Sequence, residues 1–128
     1  MIRMATIGTS TITRSFLDAA AAVPTVAVTT AYSRDAGRAA EFAAETGLAS
    51  SASDLDALLS SPDIDALYIA SPNGAHGEQV RQGIDAGKHV LVEKPAVPTS
   101  AEFVDLAGAA TSAGVILLEA MRNFYDPG

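Results

Sequence analysis

Four short segments of the chain carry residue types that a plain hydrophobic core does not need. The first is Gly8-Thr9-Ser10-Thr11-Ile12-Thr13, which lies between an apolar run and an amphipathic stretch. A turn at such a junction brings backbone N–H groups and the positive end of a helix onto a phosphate. The full pattern for a pyrophosphate is G-x-G-x-x-G. Here Gly8 keeps the first glycine, while Ser10 and Thr13 stand at the second and third. Gly8, Thr9, Ser10, Thr11 and Ile12 are the candidate phosphate contacts, and a plain strand-to-helix turn is the alternative.

The second segment is Ser33-Arg34, after the next β-rich run. Folds that select an unphosphorylated ribose place Asp or Glu at this point to hold its 2′-hydroxyl. A guanidinium at Arg34 suits a 2′-phosphate instead, and Arg38, one helical turn on, adds a second positive charge. A solvated arginine near a helix start is the plain alternative.

The third and fourth segments are Ser71-Pro72-Asn73 with His76, and Glu93-Lys94-Pro95. Lys94 can hold a hydroxyl or carbonyl oxygen and stabilise the alkoxide character that develops when a hydride leaves or arrives. Glu93, acceptor-only when ionised, suits ribose hydroxyls or the orientation of the lysine. His76 is a candidate catalytic or cofactor-contacting residue. Taken alone, a Glu-Lys pair reads as surface charge and His76 as a polar residue of a first helical turn.

The elements that must position these residues alternate. β-rich runs are expected at residues 3–7, 25–32, 66–69, 89–92 and 115–119, with a short one at 48–50, and helices at 12–22, 35–46, 54–60, 73–86 and 100–113. Helical spacing is clear in Phe103, Leu106, Ala107 and Ala110. Gly47, Gly87 and Gly114 each follow a helical stretch and precede an apolar run, where a left-handed helix stop favours glycine. Ser53 with Asp56, and Thr99 with Glu102, have capping-box spacing. The prolines at 24, 62, 72, 95 and 98 fall between elements. Strand–helix alternation specifies a parallel sheet with right-handed crossovers. The expected class is therefore α/β, a doubly wound parallel sheet in a single domain. All four segments then follow strands and emerge at one sheet edge, where such sheets bind ligands.

Composition narrows the function further. A chain of 128 residues builds one domain, 48% hydrophobic and only 5% aromatic, in keeping with Ala, Val, Ile and Leu filling a sheet covered on both faces. A net charge of −7 without a basic run disfavours nucleic acid and anionic membrane surfaces. The absence of cysteine excludes disulfides and thiolate metal sites, and no metal is expected. The first eight residues are too short and too soon polar for a signal peptide or membrane span, so a cytoplasmic location is expected.

The chain resembles the N-terminal domain of the Gfo/Idh/MocA oxidoreductases, named after glucose-fructose oxidoreductase and inositol dehydrogenase. The resemblance runs almost end to end. It rests on Ala31-Tyr32-Ser33-Arg34, on Asp65-Ala66-Leu67-Tyr68-Ile69-Ala70-Ser71-Pro72-Asn73 with His76, on Ala86-Gly87-Lys88-His89-Val90-Leu91-Val92-Glu93-Lys94-Pro95, and on Glu119-Ala120-Met121. It implies a Rossmann domain that binds NADP or NAD, NADP favoured, in an enzyme moving hydride to or from a sugar, cyclitol or related diol. Lys94 would contact the substrate, while Glu93, Pro72, Asn73 and His76 would border the nicotinamide. Family members continue into a second domain that supplies the substrate pocket and subunit interface. Residues 1–120 are accordingly expected to form the dinucleotide-binding domain and residues 121–128 the start of a connection. A homo-oligomer is expected, with Phe124 and Tyr125 as contacts. The competing reading is a non-enzymatic nucleotide-binding or interaction module that retains the fold.

Overall fold

The computed structural model describes residues 1–120; Phe124 and Tyr125, expected above as contacts, lie outside the described residues. Six strands, β1 (Ile2–Ile7), β2 (Val26–Tyr32), β3 (Ser50–Ala52), β4 (Ala66–Ile69), β5 (His89–Glu93) and β6 (Leu117–Ala120), alternate with five α-helices. The helices are α1 (Thr11–Ala21), α2 (Ala36–Thr46), α3 (Leu55–Ser60), α4 (His76–Asp85) and α5 (Ser100–Ala113). Strand order is β3-β2-β1-β4-β5-β6, and every neighbouring pair is parallel. The chain begins mid-sheet, winds outward to β3, returns to β4 beside β1, and winds out the other way. The expected doubly wound sheet is thus present, and its winding reverses between β1 and β4.

Strand alternation divides the core. Ala5, Ile7, Leu67 and Ile69 meet Leu58 and Leu59 of α3, Val80 and Ile84 of α4, and Leu106 and Ala110 of α5. On the other face Met4, Ala66 and Tyr68 meet Ile12 and Phe16 of α1. Phe42 and Ala43 of α2 close on Ala31. All four residues of β4 are buried, as expected of a central parallel strand covered on both faces.

Two strands start two residues later than their sequences suggest. After α2, Gly47 is left-handed (φ 77°) and the Leu48 N–H still donates to Ala43 O at 2.9 Å. After α5, Gly114 (φ 72°) and the Val115 N–H to Ala110 O bond (3.0 Å) do the same. The apolar residue after each glycine therefore completes the helix stop and does not open the strand. Thr99 caps α5 by accepting from the Glu102 N–H, as its spacing suggests. Ser53 does not cap α3: Asp54, one residue on, accepts from the Ala57 N–H, leaving Asp56 in the first turn. The expected helix over 73–86 opens as a 3₁₀ turn (Asn73–Ala75) before α4, because Pro72 keeps its backbone extended (ψ 143°) immediately before it.

The edge opposite the ligand crevice is locked by charge. Lys88 is buried, and its ammonium donates to Ser61 O at 2.7 Å and Ile64 O at 2.6 Å, satisfying two carbonyls that follow α3. Arg3 pairs with Asp65 at 3.2 Å. The hydrogen bonds from Arg3 hold the Asp65 carboxyl below the usual carboxylate range. Among the described residues no helix is long and apolar enough to cross a membrane.

Candidate functional site

Register fixes where the candidate segments emerge. Ile7 is level with Tyr32 on one side and with Ile69 on the other, and Ile69 is level with Val92. Gly8, Ser33, Ser71 and Glu93–Lys94 consequently leave the sheet along one edge. They surround the point where the winding reverses, the position at which open α/β sheets bind ligands.

The Gly8 turn is built for close approach. Gly8 has φ +114°, and a Cβ there would lie 2.6 Å from Ala70 O and 3.1 Å from Ser71 N. The Gly8 N–H donates to Tyr32 O at 3.2 Å and the Ala70 N–H to Ile7 O at 2.8 Å, so the turn is stitched to both neighbouring strands. Ser10 is the N-cap of α1, yet its side chain makes no capping bond and the first turn holds no acid. The N-terminal amides of α1 are thus left facing an open turn, a cradle that fits an anion. Thr9 is half-buried, Ser10 and Thr11 are exposed, and Ile12 is half-buried against the Met4–Tyr68 cluster. Thr13 is fully buried, 3.5 Å from Ser10 Oγ. At this place a third glycine would let α1 sit closer.

At the end of β2, Ser33 accepts the Asp35 N–H at 3.2 Å, and Asp35 caps α2 by accepting from the Arg38 N–H at 3.1 Å. Arg34 and Arg38 are exposed, and among the described residues neither is in an ion pair. The acid nearest this strand end is therefore committed to the helix cap, and the two guanidinium groups remain open to an anion. Among the described residues no side-chain bond joins this cluster to the other segments.

The remaining segments do come together. Ser71 donates to Gln79 Oε1 of α4. Pro72 and Asn73 are exposed beside it. His76 is only 1% exposed; its Nδ1 lies 2.9 Å from Pro95 O and its Nε2 2.7 Å from Ser71 O. Both ring nitrogens thus face backbone carbonyls and not the open crevice. His76 joins the Ser71 loop to the Lys94 loop. Lys94 is exposed, and among the described residues its ammonium has no hydrogen-bond or ion-pair partner. Among the described residues no group of three His, Cys, Asp or Glu is placed to hold a metal.

Three residues that sequence reasoning did not select belong to this site. Tyr68 is 1% exposed, stacks on Phe16 of α1 (centroids 3.8 Å, planes 6° apart), and donates its hydroxyl to Glu93 Oε1 at 2.7 Å. Burial, followed by the bond and charge of Glu93, pushes the phenol well above its ordinary range, so it remains the donor. Glu119 of β6 accepts the Ala96 N–H at 2.7 Å, and Gln79 holds Ser71. A tyrosine in a wholly apolar central strand was the available signal, since a buried phenol needs a partner.

The strand order, the reversal point and the uncapped turn after β1 define a dinucleotide-binding domain. The comparison with known sequences agrees: residues 2–121 match the profile described as "Oxidoreductase family, NAD-binding Rossmann fold". The chain belongs to this family, the Gfo/Idh/MocA oxidoreductases. It is 46% identical over 127 residues to scyllo-inositol 2-dehydrogenase (NADP(+)) IolU of Bacillus subtilis (strain 168), covering 99% of this chain and 39% of that protein. It is 38% identical over 117 residues to 1,5-anhydro-D-fructose reductase of Ensifer adhaerens, covering 91% and 35%. The crystal structure of KijD10, a 3-ketoreductase from Actinomadura kijaniata in complex with TDP-benzene and NADP in an open conformation, superposes with TM-score 0.91 at 33% identity. That match covers 98% of this chain and 40% of the other. The chain therefore spans about two fifths of the length of these relatives.

Proposed function

We propose that this chain is the cofactor-binding domain of an oxidoreductase that uses NADP(H) in preference to NAD(H) and moves hydride to or from a carbon of a sugar, cyclitol or related diol. The carrying observation is the convergence on one sheet edge of the uncapped α1 N-terminus after Gly8 and the Lys94 ammonium, which has no partner among the described residues. Gly8, Thr9, Ser10, Thr11 and Ile12 would hold the pyrophosphate, and Ser33, Arg34 and Arg38 the adenosine end. Ser71, Pro72, Asn73 and Glu93 would border the nicotinamide. The bound nicotinamide supplies the hydride acceptor or donor. Lys94 donates to the reacting oxygen and stabilises its developing negative charge. His76 works by positioning and not by proton transfer, because both its nitrogens face carbonyls. The substrate class rests on the names of the relatives, which act on an inositol and an anhydro-sugar. The reading includes a cytoplasmic location, residues 1–120 as the binding domain and residues 121–128 as the connection onward.

Cofactor choice is the direct test. Calorimetry should give a lower Kd for NADPH than for NADH, and Arg34→Ala should weaken NADPH by about 10- to 100-fold, the worth of a charge-assisted phosphate contact. NADH should hardly change. Equal loss for both cofactors, or tighter NADH binding by the parent, rejects the assignment; no binding of either favours a non-enzymatic module.

Self-association as a two-fold dimer through the β6 side also belongs to this reading. Ile116 (60% exposed) and Leu118 (49%) lie along that edge, and among the described residues no strand pairs with its outer side. Light scattering across a dilution series should reveal a dimer–monomer transition. A monomer at every concentration refutes it.

A further inference from the structure

The residues on either side of Lys94 are held from three separate elements. Tyr68 of β4 donates to the Glu93 carboxylate, His76 of α4 contacts the Pro95 carbonyl, and Glu119 of β6 accepts the Ala96 amide. Ala96 is completely buried. Two of the three holding groups are themselves fixed. The Tyr68 ring is clamped against Phe16, and the His76 ring contacts Ser71 O through its other nitrogen, so it cannot turn without disturbing both contacts. Within residues 93–96 the one long side chain without a partner among the described residues is that of Lys94.

From this arrangement we infer that Tyr68, His76 and Glu119 are positioning residues, a three-point brace that presents Lys94 to the nicotinamide end of the site. The inference rests on the oxidoreductase reading above. Its physical basis is preorganisation. A donor to a developing oxyanion is effective when it stands in place before the charge appears, and a displacement of about 1 Å can cost on the order of 10²-fold in rate. A lysine on a loose surface loop lacks that accuracy. Buried polar groups supply it, because breaking any of the three bonds strands a desolvated donor or acceptor.

The chain is favourable for a test because it contains two lysines only. Lys88 is buried against two carbonyls, whereas Lys94 is exposed. Reductive methylation with ¹³C-formaldehyde therefore labels Lys94 besides the N-terminus, keeping the positive charge. In the parent, the Lys94 methyl signal should shift when NADPH is added. In Tyr68→Phe and Glu119→Ala that shift should fall by about half or more, and in Glu119→Ala the Ala96 amide should exchange on the order of tenfold faster, with Ile69 unaffected. Glu119→Gln keeps an acceptor oxygen and should restore the parental behaviour. The brace is overturned if both variants bind NADPH with the parental Lys94 shift, or if Ile69 exchange accelerates as much as Ala96. Absence of NADPH binding by the parent overturns instead the reading on which the brace rests.

Discussion

Lys94→Ala is expected to lower kcat by about 10²- to 10³-fold, the loss that follows removal of one preorganised donor to a developing oxyanion. The measurement uses a protein joining this chain to the remaining length that its relatives have, assayed with NADPH or NADP and candidate cyclitols, sugars and keto-sugars. The Kd for the cofactor should stay within about threefold of the parent, because an interaction made chiefly in the transition state leaves ground-state binding intact. Lys94→Arg keeps the charge but replaces a compact ammonium with a planar fork, so it should recover only part of the loss. Parental kcat in Lys94→Ala would remove the lysine from the mechanism. Equal losses in cofactor affinity and in kcat/KM would make it a binding residue.

The outline of that site was legible because it depends on local signals. Alternation of β-rich and helical stretches forces parallel strands, and parallel strands deliver Gly8, Ser33, Ser71 and Lys94 to one edge whatever the detailed packing. The short strands were less legible for an equally local reason: Leu48 and Val115 are apolar and follow a glycine, but their amides still bond back into the preceding helix. Asp54 took the cap that Ser53 might equally have formed by composition, since either side chain can accept from a first-turn amide. The brace was hidden for a different reason. Tyr68 with Glu93, His76 with Pro95 and Glu119 with Ala96 are separated by 25, 19 and 23 residues. Which polar groups meet across such spans is decided by strand order and side-chain direction, and neither is carried by the type of one residue. His76 shows the consequence. Its residue type marked it as a candidate site residue, and only the fold shows that its ring lies between the Ser71 and Pro95 carbonyls.

Gly8→Ala should destabilise the fold and weaken cofactor binding together. The φ of +114° is strained for any side chain, a cost of about 1–3 kcal/mol. Contact adds to it. The new methyl would stand 2.6 Å from Ala70 O and 2.8 Å from Ala70 C, and both are backbone atoms tied down by the Ala70 N–H to Ile7 O bond. No flexible side-chain end is available to swing aside, so the turn itself must move, for a further cost of about 1–3 kcal/mol. Against a total stability of about 5–15 kcal/mol, the folded state survives but melts roughly 10 °C or more below the parent. Moving the turn would also withdraw its amides from the proposed phosphate site, and NADPH affinity should fall by about 10- to 100-fold, the worth of charge-assisted hydrogen bonds to a phosphate. Gly108→Ala is the matched control, because a Cβ at this exposed α5 position meets nothing within 4 Å. That substitution should raise stability by about 0.5–1 kcal/mol through helix propensity alone. If Gly8→Ala melted like Gly108→Ala and bound NADPH like the parent, the close approach of the Gly8 turn to Ala70 would have no part in holding the cofactor, and the phosphate site would have to be sought elsewhere on the same edge.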